Sequence, residues 1–332
     1  MTPRSLAALV VATVIAVATA AWAVATQAPN TPEERSGERF LPALARAANE
    51  VGRITVTAGG ATYTLQRTPE GWVLADKGNY PVRLDVVREL VGGLARLTVL
   101  EGKTDRVDRL ARLDLQDPTG AEAKGRGVRL ERADGSVVAD IVLGRADYTA
   151  SGTGGLYIRE AGSTKAWLVE GKAPLPAEAV AWTDRQILDI PAQQVARVTI
   201  EGGQAAGIAL VRGPEGKPRL ADGSAVNESE ADRLFALVER LSIDDVRPAG
   251  QPADATVRGA VLETAEGVRL RLTPAGSDGE GWVTVAAEAS EPAGQDAAAA
   301  IAKRTSGFAF RLPRWKADLL MTTPEKLNLP NS

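Results

Sequence analysis

The sequence predicts an α+β protein made by internal duplication: two lobes of mostly antiparallel sheet, each carrying a helix, behind one N-terminal transmembrane helix. Three observations carry this expectation. VGRITVTAGG from Val51 is answered by VARVTIEGGQ from Val195, Thr68-Pro69-Glu70-Gly71 by Gly213-Pro214-Glu215-Gly216, and Leu74-Ala75-Asp76 by Leu220-Ala221-Asp222. An apolar-periodic segment then follows in each copy, LDVVRELVGGLARL from Leu84 and SEADRLFALVERL from Ser229. Finally, Leu6 to Ala25 is a run of twenty residues without a charge, and at about 1.5 Å per residue it covers a hydrocarbon core of roughly 30 Å.

The expected organisation is an anchor or signal peptide over 1–28, a tether and short helix over 29–50, lobe 1 over 51–171, a bridging segment over 172–192 and lobe 2 over 193–332. Arg4 and the free amine precede the apolar run, whereas Glu33, Glu34 and Arg35 lie well beyond it. The positive-inside tendency therefore leaves the N-terminus in the cytoplasm and the bulk of the chain outside it. The competing reading is cleavage after Ala23-Val24-Ala25, which resembles a signal-peptidase site; the compartment is the same in both. Gln27 to Gly37, with Pro29, Pro32 and several charges, reads as a solvated tether.

Phe40, Leu41, Leu44 and Ala45 fall at helical spacing and predict a short helix into lobe 1. Ile54 and Val56 alternate with Arg53, Thr55 and Thr57, Gly59-Gly60 supplies a tight turn, and Tyr63 and Leu65 alternate in the returning strand, so this stretch is a hairpin. Trp72 to Leu74 is a third strand. Leu84, Val87, Leu90, Val91, Leu94 and Leu97 mark one face of a helix, and Leu97 to Leu100 a strand leaving it. In copy two Asn227 and Glu230 make an N-cap and capping box, with Leu234, Phe235, Val238 and Leu241 continuing the apolar face. Further strands are expected at Val128–Glu131, Val137–Leu143, Leu156–Arg159 and Ala166–Val169 in copy one. Those of copy two include Ala260–Glu263, Val268–Leu272 and Trp282–Ala286.

Copy one carries extra elements. Thr104 to Pro118, TDRVDRLARLDLQDP, predicts a short helix with Val107, Leu110 and Leu113 as its apolar positions, and Gly144 to Gly155, GRADYTASGTGG, a glycine-rich loop. The bridging segment, with Pro174, Pro176, Trp182 and Ile190, is answered near the C-terminus by Arg311 to Leu329. So many large apolar groups predict a segment packed against a lobe.

Composition excludes several chemistries. The formal net charge is -3 and no basic stripe interleaved with aromatics occurs, so nucleic acid is not an expected partner. Cysteine is absent, which removes disulfides, thiolate catalysis and a lipidated cysteine; histidine is absent as well, removing the commonest general base and metal ligand. No G-x-S-x-G elbow occurs. Asp105 and Asp108 lie three apart beside Arg106, Arg109 and Arg112 and read as solvated helix charges rather than an acid–base or metal pair. Gly152-Thr153-Gly154-Gly155 lacks the Gly-Lys-Ser/Thr and strand-to-helix setting of a phosphate loop, so a hairpin connection is the better reading. No catalytic, cofactor-binding or metal-ligating residue is expected.

TDRVDRLARLDLQDP, WTDRQILDIP from Trp182 and the closing FAFRLPRWKADLL resemble the envelope-anchored proteins of domain of unknown function 4340. The resemblance covers nearly everything after about residue 38. With the apolar run and Arg4 before it, the expectation is a bacterial inner-membrane protein, single-pass with its bulk in the periplasm. The resemblance implies an auxiliary of ABC transporter subunits of the type linked to gliding motility, or a partner of other envelope proteins. It carries no catalytic residues with it.

The leading functional expectation is a non-catalytic interaction subunit. Its candidate partner surface is Arg106, Arg109 and Arg112 together with Tyr148, because elements present in one copy only are not needed to complete the repeated core, and an Arg face or an exposed Tyr suits recognition. The plain alternative is that the short helix simply caps a sheet edge. Two further classes stay open: a module binding a glycan, lipid or small molecule between the lobes, and a carboxylate-based hydrolase. Of the tryptophans, Trp22 suits a membrane interface, Trp72, Trp167 and Trp282 suit the core, and Trp182 and Trp315 suit packing of the two bridging segments.

Overall fold

The computed structural model describes residues 35–150, 152, 154–201, 207–250, 259–276 and 281–327. The apolar run, Ala23-Val24-Ala25 and Trp22 lie outside them. Among the described residues no helix is long and apolar enough to cross a membrane. The architecture is α+β with mostly antiparallel sheets and a few helices. Two compact units form, one from residues up to 51, 56–62 and 91–173, the other from 52–55, 63–90 and 174 onward.

In the first unit the strands run in the order Arg126–Arg132, Val137–Asp147, Gly155–Glu160, Ala166–Glu170 and Thr98–Thr104, every neighbour antiparallel. Alternation sets which side chains are covered: Val128 and Leu130 are buried and Arg129 between them is exposed. The helix Pro42–Ala47 delivers Phe40, Leu41, Leu44 and Ala47 into the core, Ala45 being the expected face residue that turns outward. Gly59 and Gly60 both take positive φ, 55° and 78°, as a two-residue hairpin turn requires, and the Thr57 and Thr62 hydroxyls meet across it at 3.0 Å.

The second unit holds an eight-stranded antiparallel sheet. Its order is Pro218–Leu220, Ile208–Arg212, Val195–Glu201, Gly259–Thr264, Val268–Pro274, Trp282–Ala289, Phe308–Arg311 and Asp245–Pro248. Its last five strands repeat the five of the first unit in the same order, and in each the strand that leaves the helix, Thr98–Thr104 or Asp245–Pro248, closes the outer edge. The duplication is thus visible in topology. Residues 63–90 also pack in this unit. There Leu65 pairs with Leu74, Tyr80 meets Phe308 edge-on at 4.8 Å, and Lys77 pairs with Asp245 at 2.8 Å.

The helix Leu84–Arg96 buries Val87, Leu90, Val91 and Leu94 as its spacing predicts, but Leu84, its first residue, is exposed. Asn227 caps Glu228–Phe235, its Oδ1 accepting the Glu230 N–H at 3.2 Å. This helix stops short of the predicted length. Val238 and Leu241 are still fully buried, but Val238 lies on a run of turns that ends at Arg240 in the left-handed region, φ 43°, and Leu241 opens the short strand Leu241–Ser242.

The expectation of one helix per lobe needs correction. Gln295–Thr305 packs on Val268–Pro274 and Trp282–Ala289, burying Ala298, Ile301 and Thr305, and Arg314–Leu320 follows the last strand. Gln295–Thr305 lies where copy one makes only the short connection between Gly155–Glu160 and Ala166–Glu170. The bridging residues Leu175, Val180, Trp182, Ile187 and Leu188 are buried, as their apolar content predicts.

Candidate functional site

The short helix of the copy-one insertion is Val107–Leu110, continued as a 3-10 turn over Ala111–Leu113. Leu110 and Leu115 are buried with Val142, Tyr157, Ala166 and Leu168, and Leu113 packs on the same cluster. Val107 is 67% exposed, so it is not part of the apolar face that spacing assigned to it. Glycine makes the close approach feasible: a Cβ on Gly144 would lie 2.2 Å from the Leu113 carbonyl oxygen. Arg159, only 7% exposed, fixes the end of the insertion by donating from Nε to the Leu115 carbonyl at 2.8 Å, and from Nη1 to the Glu160 and Ser163 carbonyls at 3.2 Å each. Burial lowers its pKa from the ordinary arginine value.

The insertion packs Leu110, Leu113 and Leu115 with side chains of Val137–Asp147, Gly155–Glu160 and Ala166–Glu170, while Arg106, Arg109 and Arg112 stay exposed. Arg106 is held by Asp108 at 2.9 and 3.1 Å, and Asp105 is exposed. Among the described residues no group of three or more acidic side chains is placed to hold a metal ion.

The glycine-rich loop is shorter than its composition suggests, because Gly144 to Asp147 belong to the strand Val137–Asp147 and Gly155 opens the next. Asp147 ties the turn: its carboxylate accepts the Thr149 N–H at 3.0 Å, the Thr149 hydroxyl at 2.7 Å and the Tyr157 hydroxyl at 2.9 Å. These bonds, Thr149 first, hold its pKa below the usual carboxylate value. Tyr148 is left 87% exposed on a turn fixed at its base. Ala150 of this loop packs on the same cluster as Leu110 and Leu113, so both candidate elements rise from one small core.

Trp72, Trp167 and Trp282 are buried in strands as expected, and Trp182 is wholly buried with its Nε1 donating to the Tyr63 hydroxyl at 2.9 Å. Trp315 departs from its expected packing: it is 65% exposed. The next residue, Lys316, is only 3% exposed and donates to the carbonyls of Ala236, Leu237 and Glu239, the last two at 2.8 and 3.1 Å. Burial pushes its pKa down from 10.5 to about 8. Arg233, Ala236, Glu239, Arg240, Trp315, Lys316 and Leu319 line a cavity of about 370 Å³. Sequence reading missed this group. The acceptors of Lys316 lie some eighty residues earlier in the chain.

A search of the curated proteins finds no match. A family model described as a domain of unknown function, DUF4340, matches residues 72–259, more than half of the chain. The match includes the short-helix insertion, the Tyr148 loop and the bridging segment, and on that evidence the chain belongs to the DUF4340 family.

Proposed function

We propose that this chain is a non-catalytic, membrane-anchored envelope protein that serves as an interaction or auxiliary subunit of an ABC-type transporter. One observation carries the scaffold part of that reading. Among the described residues the two deeply buried cations, Arg159 and Lys316, direct their donors to main-chain carbonyls instead of facing a reactant. Leu6 to Ala25 supplies the anchor in the bacterial inner membrane, with the N-terminus cytoplasmic and the bulk periplasmic. The family resemblance supplies the class of partner, and Arg106, Arg109, Arg112 and Tyr148 the candidate contact surface.

The test is to purify the tagged full chain from detergent-solubilised membranes and identify what accompanies it. Co-purifying ABC transporter subunits are the expected result; good recovery of the chain without them overturns the reading. Alkaline phosphatase fused after Pro174 should be active and a cytoplasmic reporter at the same place silent, and the opposite pattern rejects the topology.

A second reading, a ligand-binding module, is favoured by the cavity beside Trp315.

A further inference from the structure

The cavity at the end of Glu228–Phe235 combines features that the packing of the fold does not require. An indole left 65% exposed gives up burial that its counterpart obtains, since Trp182 in the matching bridging segment is fully covered and hydrogen-bonded. Three cationic residues, Arg233, Arg240 and Lys316, and one carboxylate, Glu239, are among those lining the same space. Arg233 is paired with Glu230 at 3.1 Å, and the Lys316 ammonium is occupied by its three carbonyls. Among the described residues the Arg240 guanidinium has no ion-pair partner.

Arg240 is also held in place. Its φ of 43° is a strained conformation for a residue with a side chain, and its N–H is fixed by Asp189 Oδ1 at 3.1 Å. The Lys316 ammonium stands 4.8 Å from the Trp315 ring centroid and steadies that ring from one side. Leu319, one helical turn after Trp315, adds apolar wall. About 370 Å³ lies at the lower end of the roughly 300–1,000 Å³ range of small-molecule sites, which pair an apolar lining with a few oriented polar groups.

We propose that this cavity binds a small organic anion with a flat apolar body, its oxyanion on Arg240 and its body on Trp315 and Leu319. The net positive lining selects the charge, and the guanidinium favours a planar, two-oxygen group such as a carboxylate. The site goes beyond the transporter reading and stands independently of it, since none of its residues belongs to the copy-one insertion or the Tyr148 loop.

The test titrates the full chain in detergent with 2-naphthoate, with neutral 2-naphthamide and with inorganic phosphate, by calorimetry. The expected result is saturable binding of naphthoate, with affinity lowered about tenfold or more for the amide and for phosphate. Trp315→Ala and Arg240→Gln should each weaken naphthoate about tenfold. Both residues are exposed, so the variants should melt with the parent, and a third variant, Leu319→Ala, should weaken naphthoate while leaving the response to phosphate unchanged. Absent saturation, equal affinity for acid and amide, phosphate binding as tightly as naphthoate, or undiminished binding in both Trp315→Ala and Arg240→Gln would each overturn the proposal. None of these results bears on whether transporter subunits co-purify.

Discussion

Arg159 in the first unit and Lys316 in the second solve the same structural problem with different chemistry. Each is a cation buried to within a few per cent, and each gathers three main-chain carbonyls. Arg159 does so with a planar fork that stays charged in any accessible pH. Lys316 does so with a point charge whose proton is held less tightly, at about 8, and it sits against a cavity and an exposed indole. The comparison separates a purely architectural clamp from one that also forms the wall of a binding site.

Removing a clamp should give the largest effect. Lys316→Met keeps the stem but leaves the carbonyls of Leu237 and Glu239 without this donor, while Ala236 still accepts the Glu239 N–H at 3.2 Å, and two orphaned buried acceptors cost about 3–5 kcal/mol in denaturant unfolding of the second unit. Arg159→Met should cost somewhat less, about 2–3 kcal/mol, because two of its bonds are long at 3.2 Å. Loss of under about 1 kcal/mol in either variant would show that water replaces the clamp.

pH separates the two cations next. Between pH 8 and the ordinary lysine value of 10.5 the unfolded chain keeps the Lys316 proton while the folded chain has released it, so the unfolded state binds more protons and stability rises with pH. Tyr80 works in the opposite sense. Burial first, then Asp184, raises its pKa from 10.0 to about 12, so between those values the folded chain binds more protons and stability falls. Unfolding followed across this range should show stability rising above pH 8, by at most about 1.4 kcal/mol per pH unit, then turning over above pH 10. Lys316→Arg should abolish the rise and Tyr80→Phe the fall. A flat profile in the parent chain would contradict both assignments.

The contrast between the clamps also marks where sequence reading ends. Alternation and spacing locate strands and the capped helix because each signal is local: Ile54 and Val56 are two apart, Asn227 and Glu230 three. Gln295–Thr305 gives no comparable signal, since its buried face consists of Ala298, Ile301 and Thr305 in an alanine-rich stretch with one large apolar residue. Leu84 and Val107 show the converse: both fit a period, yet each begins its helix and stays exposed. The environment of Lys316 is set by carbonyls 77 to 80 residues away in sequence, so no window containing Arg-Trp-Lys reveals it. The candidate partner surface was legible as chemistry, an Arg-rich segment and a tyrosine among glycines. Its common base on Leu110, Leu113 and Ala150 was not.

A smaller effect tests how the Arg159 clamp and its glycine floor cooperate. Gly144→Ala places a methyl group against the Leu113 carbonyl, and the backbone of the insertion must shift to admit it. A cost of about 1–3 kcal/mol is expected, accompanied by faster amide exchange at Leu115, whose N–H donates to the Leu110 carbonyl at 2.9 Å. Unchanged exchange would mean that the insertion is not seated on Gly144.

The smallest stability change should come from the surface that the clamp presents. Arg106→Ala, Arg109→Ala and Tyr148→Ala together remove one exposed ion pair, Arg106 with Asp108, and an aromatic side chain that buries almost nothing at 87% exposure. Exposed pairs contribute between zero and about 1 kcal/mol, so the triple variant should unfold within about 0.5 kcal/mol of the parent. Leu110, Leu115 and Arg159 remain to hold the insertion, and Asp147 still ties the loop through Thr149 and Tyr157. What should change is co-purification from solubilised membranes: with fold and expression intact, transporter subunits that accompany the parent should be lost. Their retention at the parent's level would reduce the insertion to a cap over the sheet, leaving Arg159 a clamp with no surface to present.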